Sequence, residues 1–378
     1  MTAGRRIAIA VVLAACAAVA LLGAIGWPAS AYQDGDFTQF WIQPHALLDV
    51  GGDPYDTSWW AAAHTRIGQR PENAQAVYPP HDAIAFLPFA LLPFPYAAAA
   101  WIVAQLVAVS LALWLLASRV LPRAGRGLFL AVSLGFQPLW LLAVGANVTG
   151  FLFALIAGAF LAVTERRLFL AGALLGLLVV KPHPFAFLAV ALLVTASWPE
   201  RRRVGLGALC TAGPLVGAAI ALRPGWYAEW LGSAVALAAS PRSNATVWTL
   251  DRVTGLPSWS GPVVAGLVIG AFAIWFARTR PPLATTFIAA IPVSLAVAPY
   301  GWSYDQLQLL VPMAVALAAT GRLARRALIA LVATILPWSL YALAFRRGGE
   351  ELSVITPVLV FTLLLVLPGV LAAEHRPS

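Results

Sequence analysis

Lys181 is the only lysine in the chain, and it stands in the run Lys181-Pro182-His183-Pro184. Two prolines hold the turn around a histidine, and an ammonium beside an imidazole suits an anionic phosphate. The plainer reading is a lysine whose stem lies in hydrocarbon while its head snorkels to the headgroups. Asp34 and Asp36 stand just beyond the first apolar run. A carboxylate at a membrane surface can serve as a general base. Equally, Asp36-Phe37-Thr38-Gln39 has the form of a capping box. Asp305 borders an apolar run in Pro299-Tyr300-Gly301-Trp302-Ser303-Tyr304-Asp305. An ionisable group there is a functional candidate by default, with a helix cap as the alternative. Asn147 opens another apolar run and could be only a helix cap or a functional residue, while Arg252 is a further candidate for a phosphate. Asn147 and Asn244 both begin an N-glycosylation pattern, a cheap signal by itself. No zinc spacing, P-loop or dinucleotide fingerprint occurs, so neither a metal nor a cofactor is expected.

The elements that must carry these groups are set by composition. The chain has 378 residues, of which 61% are hydrophobic and 10% charged. Soluble domains carry about 25% charged residues, and no soluble fold could hide this much apolar surface. Apolar runs recur along the whole length, and about 20 such residues cross a bilayer as a helix. The expectation is an all-α integral membrane protein, one polytopic domain over residues 1–378. Spans are placed at 7–27, 97–118, 127–145, 148–163, 168–180, 184–197, 204–222, 261–277, 283–298, 306–320, 327–345 and 353–372. The first run exceeds the ~7–15 apolar residues of a cleavable signal and reads as a retained span. Short spans such as 168–180 suggest broken or tilted helices near a site. Cys16 and Cys210 both lie inside apolar runs, which argues against a disulfide.

Charge orients the spans. With the N-terminus inside, sixteen of the 24 basic residues and only three of the 15 acidic ones fall on inner segments. This is the positive-inside pattern. The net charge of +9 is thereby an orientation signal, and no basic stripe is left for a nucleic acid. Both termini are expected inside. The outer segments are longer and hold His45, His64, His81 and His183, so a site would face outward.

The first outer loop, 28–82, is patterned rather than plain. Phe37, Phe40, Trp41, Leu47 and Leu48 recur at helical spacing, as do Trp59, Trp60, Ala63 and Ile67. Two short amphipathic helices at the interface fit this spacing. Residues 83–95, broken by three prolines, read as a re-entrant or interfacial piece. The second long outer loop, 223–260, holds Glu229 with Trp226, Tyr227 and Trp230, a further interfacial helix.

A series of motifs then comes in order along one face. It comprises Tyr32-Gln33-Asp34-Gly35-Asp36-Phe37, Gly52-Asp53-Pro54-Tyr55-Asp56, Val77-Tyr78-Pro79-Pro80, Asn147 with Gly150, Lys181-Pro182, Asn244 with Arg252, and Pro299 with Trp302. From about residue 30 to 320 the chain resembles glycosyltransferase family 87, polyprenyl-phosphate-sugar-dependent enzymes of the GT-C superfamily that include mannosyltransferases. The resemblance implies an outward site beneath the first loop and direct displacement with inversion. It implies Asp36 or its neighbour Asp34 as base. It also implies substrate contacts from Lys181 first, then His183 and Arg252, with Asn147, Tyr78, Asn244, Trp302, Tyr304 and Asp305. Many relatives carry histidine after the Pro-x-x-Trp element, whereas this chain has Tyr304-Asp305. The sugar is therefore left open.

The expected function is transfer of a hexose from a polyprenyl-phosphate donor to a lipid or glycan acceptor, at the outer face of the plasma membrane. A transporter or flippase for a lipid-linked sugar shares this hydropathy, but would bring internal repeats and polar groups near the midplane. No clear repeat is present, and the polar groups gather at one face. An inactive assembly partner would keep the fold without needing Asp36 or Lys181.

Overall fold

The computed structural model describes residues 36–70, 75–239, 244–251, 255–345 and 350–366. The expected first span at 7–27, together with Asp34 and Arg252, lies outside these residues. All regular structure among the described residues is helical. Among the described residues, four helices are long and apolar enough to cross a membrane: Phe94–Arg119, Trp198–Leu222, Ser260–Thr279 and Ala324–Ala344. Shorter apolar helices occupy Thr149–Thr164, Leu168–Val180, His183–Thr195, Leu283–Val297 and Glu351–Val366. These nine coincide with expected spans, as an all-α polytopic membrane protein requires.

The two remaining expected spans are broken. Residues 127–145 appear as Arg123–Gly135 and Gln137–Gly145. Pro138 has no N–H for the carbonyl of Leu134, and Trp140 Nε1 supplies that hydrogen bond instead at 2.8 Å. Residues 306–320 begin as a 3-10 turn, Ser303–Leu309, before the α-helix Leu310–Ala319. The last long span is interrupted at one residue. Thr334 separates Leu323–Ala333 from Ile335–Phe345, four residues before the tryptophan that follows Pro337.

Two compact units divide the chain. One takes the described residues within Met1–Leu111, Leu142–Phe151 and Ala212–Ser240. Its core joins Ile42, Ala46, Tyr55, Trp60, Ala83 and Trp226. Phe37–Leu48 forms as its spacing predicts, but it is enclosed more fully than a surface stripe, with Thr38, Gln39 and Gln43 buried beside Phe37 and Phe40. Thr57–Arg66 keeps the amphipathic form, burying Trp60, Ala63 and His64. Asp56 caps it, accepting Trp59 N–H at 2.7 Å. Residues 83–95 supply two single turns, Asp82–Ala85 and Leu87–Ala90. The helix Trp226–Ala239 confirms the periodicity of its loop, although Trp226 lies in the core.

The other unit takes the described residues within Ala112–Leu141, Leu152–Thr211 and Pro241–Ser378. Its axis is Leu283–Val297, buried from Leu283 to Ala296. Ala186–Thr195, Ser260–Thr279 and Ile355–Val366 pack on it. Ser294 ties this axis to the lysine turn, donating to Pro184 O at 2.7 Å and accepting Leu188 N–H at 3.1 Å.

Candidate functional site

In the first unit, Asp36 stands at the N-cap position of Phe37–Leu48 but makes no side-chain capping bond. The capping-box expectation therefore fails. Its carboxylate instead accepts from Asn147 Nδ2 at 2.6 Å. The same amide nitrogen donates to the Tyr78 hydroxyl at 3.0 Å. The other end of Asn147 does the capping: Oδ1 accepts Thr149 N–H at 3.1 Å and Thr149 Oγ1 at 2.6 Å, at the start of Thr149–Thr164. The cap reading of Asn147 holds, and its amide nitrogen is engaged by Asp36 and Tyr78.

Local structure aims this amide. Ala146 adopts a positive φ of 48°, a conformation that costs a non-glycine residue about 1–2 kcal/mol. Trp101 Nε1 donates to Ala146 O at 2.8 Å, and Asp36 N–H donates to Gly145 O at 3.0 Å, so both sides of the kink are held. Gly150 lets Gln105 approach: a Cβ there would meet Gln105 Oε1 at 2.5 Å. Tyr78 is fixed through its backbone, whose carbonyl accepts from Tyr55 OH at 2.6 Å. Gln43 Nε2 donates to the next carbonyl, Pro79 O, at 2.9 Å.

In the second unit, Leu168–Gly176 tightens into a 3-10 turn, Leu177–Val180, and stops at Lys181. Pro182 cannot continue the ladder, and the Lys181 N–H turns back to Leu178 O at 3.0 Å. Lys181 is 2% exposed, so it does not snorkel. Its Nζ lies 2.5 Å from Asp305 Oδ1 and 4.8 Å from the Tyr304 ring centre. Asp305 takes the capping role, and its other oxygen pairs with the lysine. Oδ1 meets the lysine, while Oδ2 accepts Trp302 N–H at 3.1 Å in the first turn of Ser303–Leu309.

Asn244 and His183 attach to the same Tyr300–Asp305 segment. Ala245 N–H donates to Gly301 O at 2.7 Å, and Gly301 N–H reaches Asn244 Oδ1 at 3.5 Å. The His183 ring meets Tyr300 edge to face at 5.9 Å, and its Nε2 has no hydrogen-bond partner among the described residues. Asn147 and Asn244 are both buried, at 0% and 5% exposure, which closes them to glycan attachment.

The model of Glycosyltransferase family 87 matches residues 76–299, more than half of the chain. The chain belongs to glycosyltransferase family 87. No curated protein and no solved structure matches it.

For this family 87 member, the matched region is narrower than the 30–320 expected from motif order. It holds Tyr78, Asn147, Lys181, His183 and Asn244, and leaves Asp36, Trp302, Tyr304 and Asp305 outside. Each cluster thus joins matched and unmatched residues: Asp36 to Asn147, and Asp305 to Lys181. Two further residues escape a reading by motif. Glu350 Oε2 accepts both Ser303 N–H at 2.8 Å and Ser303 Oγ at 2.7 Å, so it caps in trans the turn that carries Asp305. Burial pushes the Glu350 carboxyl above its ordinary range. Asp82 is 1% exposed beside His81. Its sequence signal is only a carboxylate adjoining a histidine after Pro79-Pro80.

Proposed function

We propose that this family 87 glycosyltransferase moves a hexose, with inversion, from a polyprenyl-phosphate donor to a lipid or glycan acceptor at the outer face of the plasma membrane. The observation that carries the reading is the Asp36 carboxylate, turned from its own helix to Asn147 Nδ2. A carboxylate held in place but not used as a cap suits a general base. In the reaction, an acceptor hydroxyl gives its proton to Asp36. Its oxygen forms the new bond to the anomeric carbon, and the bond to the donor phosphate breaks, with the electron pair leaving on the lipid phosphate. Lys181 is assigned to that growing negative charge, sharing its ammonium between the phosphate and Asp305. His183, with its open Nε2, is a second contact for the phosphate.

Arg252 remains a candidate for the same phosphate and Asp34 for the base, while Tyr78, Asn244, Trp302 and Tyr304 complete the proposed substrate contacts. No cofactor is invoked, and the partners are the bilayer, the donor and the acceptor. The concentration of arginine on alternate segments supports an outward site and inward termini. Family membership weighs against the transporter reading.

The test is transfer in nanodiscs from a panel of radiolabelled polyprenyl-phosphate sugars to lipid and glycan acceptors of the native membrane. Label in a new product, lost in Asp36→Asn, supports the reading and names the donor. Folded protein that transfers from no donor defeats it.

A further inference from the structure

Four consecutive carbonyls, from Ala76 to Pro79, are each met by a side chain that arrives from elsewhere in the first unit. Ser233 Oγ donates to Ala76 O at 2.8 Å, and Trp230 Nε1 to Val77 O at 3.2 Å. Tyr55 OH donates to Tyr78 O at 2.6 Å, and Gln43 Nε2 to Pro79 O at 2.9 Å. The Ala76 N–H is taken as well, by Pro54 O at 2.8 Å. This segment belongs to no helix, so its backbone has no ladder of its own and must find partners outside itself. Ala76 and Tyr78 are buried, which leaves protein groups to supply those partners.

Two of the four donors sit on one helix, Trp226–Ala239, in the second long outer loop. Trp230 and Ser233 are three residues apart and share a face of it. Tyr227, three residues earlier, continues that face, and its hydroxyl pairs with His81 Nδ1 at 2.9 Å. Trp226 anchors the start of the helix against the Tyr55 ring at 6.1 Å. What this clamp holds is Tyr78. The Tyr78 hydroxyl accepts from the same Asn147 nitrogen that donates to Asp36. An amide nitrogen has two protons, so the position of Tyr78 fixes the direction in which the other proton meets the Asp36 carboxylate.

We infer that Trp230 and Ser233 are positioning residues for sugar transfer, gripping the backbone at Ala76 and Val77 so that Tyr78 and Asn147 keep Asp36 aimed. The inference rests on the reading of Asp36 as general base. Neither residue touches a substrate. They act through Tyr78, and a small misplacement of a reacting group is enough to slow a reaction.

The experiment uses full-length protein in nanodiscs, with Trp230→Phe and Ser233→Ala made alone and in a Tyr78→Phe background. Trp230→Phe keeps an aromatic ring and removes only the N–H donor. Transfer kinetics and melting temperature are measured on each. Fluorine spectra are recorded on protein whose eight tyrosines are fluorotyrosine, with the Tyr78 line assigned by its loss in Tyr78→Phe. Each single variant is expected to lower kcat roughly three- to tenfold, the scale of one hydrogen bond, to leave the donor KM unchanged and to shift the Tyr78 line. In the Tyr78→Phe background the same changes should cost little more, because residues on one path are not additive. Losses that add fully to that of Tyr78→Phe, or that only follow the melting temperature, overturn the inference. So does a Tyr78 line that stays in place in both variants. Full activity in Asp36→Asn defeats the base reading alone, and the Tyr78 line then decides whether the clamp positions Tyr78.

Discussion

Asp36 and Asn147 are 111 residues apart in sequence, yet their side chains meet at 2.6 Å. The contact uses the one Asn147 nitrogen, which also serves Tyr78, while the Asn147 oxygen caps a different helix. One buried amide therefore binds a helix start, a loop tyrosine and an acidic residue in a single arrangement.

Replacing Asp36 by Asn separates chemistry from stability. No capping bond is lost from Phe37–Leu48, so melting should move little. Loss of a general base costs about 10²–10⁴-fold in rate, and transfer should fall by that order. Asn147→Ala should do both kinds of damage, because it removes together the cap on Thr149 N–H and the amide that holds the Asp36 carboxylate. A melting scan and an initial-rate assay on the two variants check this. Full activity in Asp36→Asn would pass the base role to Asp34 or Asp305.

The Lys181–Asp305 pair is buried at both ends, with side-chain exposures of 2% and 4%. Removing one partner leaves a buried charge and costs about 3–5 kcal/mol, whereas replacing both by apolar residues is often near neutral. Lys181→Met alone should unfold far below wild type, and Lys181→Met with Asp305→Leu should recover most of the loss. If Lys181 also serves the phosphate, the double variant melts normally but does not use donor. A double variant with normal donor use would reduce the pair to a structural role.

Burial holds the Asp82 carboxyl well above its usual range. The folded protein therefore keeps this proton at pH values where the unfolded chain has released it. That contribution to stability is lost as pH rises from the unfolded value of about 3.9 towards the raised folded value. Asp82→Asn cannot ionise. Its melting temperature relative to wild type should climb as pH rises above about 4, and a flat difference would contradict the burial.

Glu350 acts on the second cluster at one remove. Glu350→Ala strands the Ser303 N–H, a loss of about 1 kcal/mol by analogy with an N-cap. It should also loosen the turn that carries Asp305. Donor KM is expected to rise in Glu350→Ala and to recover in Glu350→Gln, which retains an acceptor oxygen. Equal behaviour of the two variants would argue that the negative charge, and not the hydrogen bond, matters there.

Helix packing in the second unit depends on missing side chains. A Cβ at Gly172 would strike the Val204 backbone, and one at Gly207 the Phe169 backbone. Overpacking of this kind costs about 1–3 kcal/mol. Gly172→Ala should lower the melting temperature without altering KM in the surviving folded fraction, as thermal scans and kinetics together would reveal.

The sequence by itself determined the helical membrane class, the location of nearly every apolar helix and the family. Each of these depends on local facts: run length, proline position and short motifs in order. It also placed Lys181 at a helix break, because Pro182 forbids continuation within the same few residues. Tertiary structure decided what the polar groups do. Whether Asp36 caps its helix depends on Asn147, and whether Lys181 snorkels depends on Asp305, 124 residues further along. Glu350 became visible only through Ser303, and Asp82 only through the partners it lacks. A capping box and a held carboxylate share one spacing, since the choice between them is made by hydrogen-bond partners that arrive from distant segments when the chain packs.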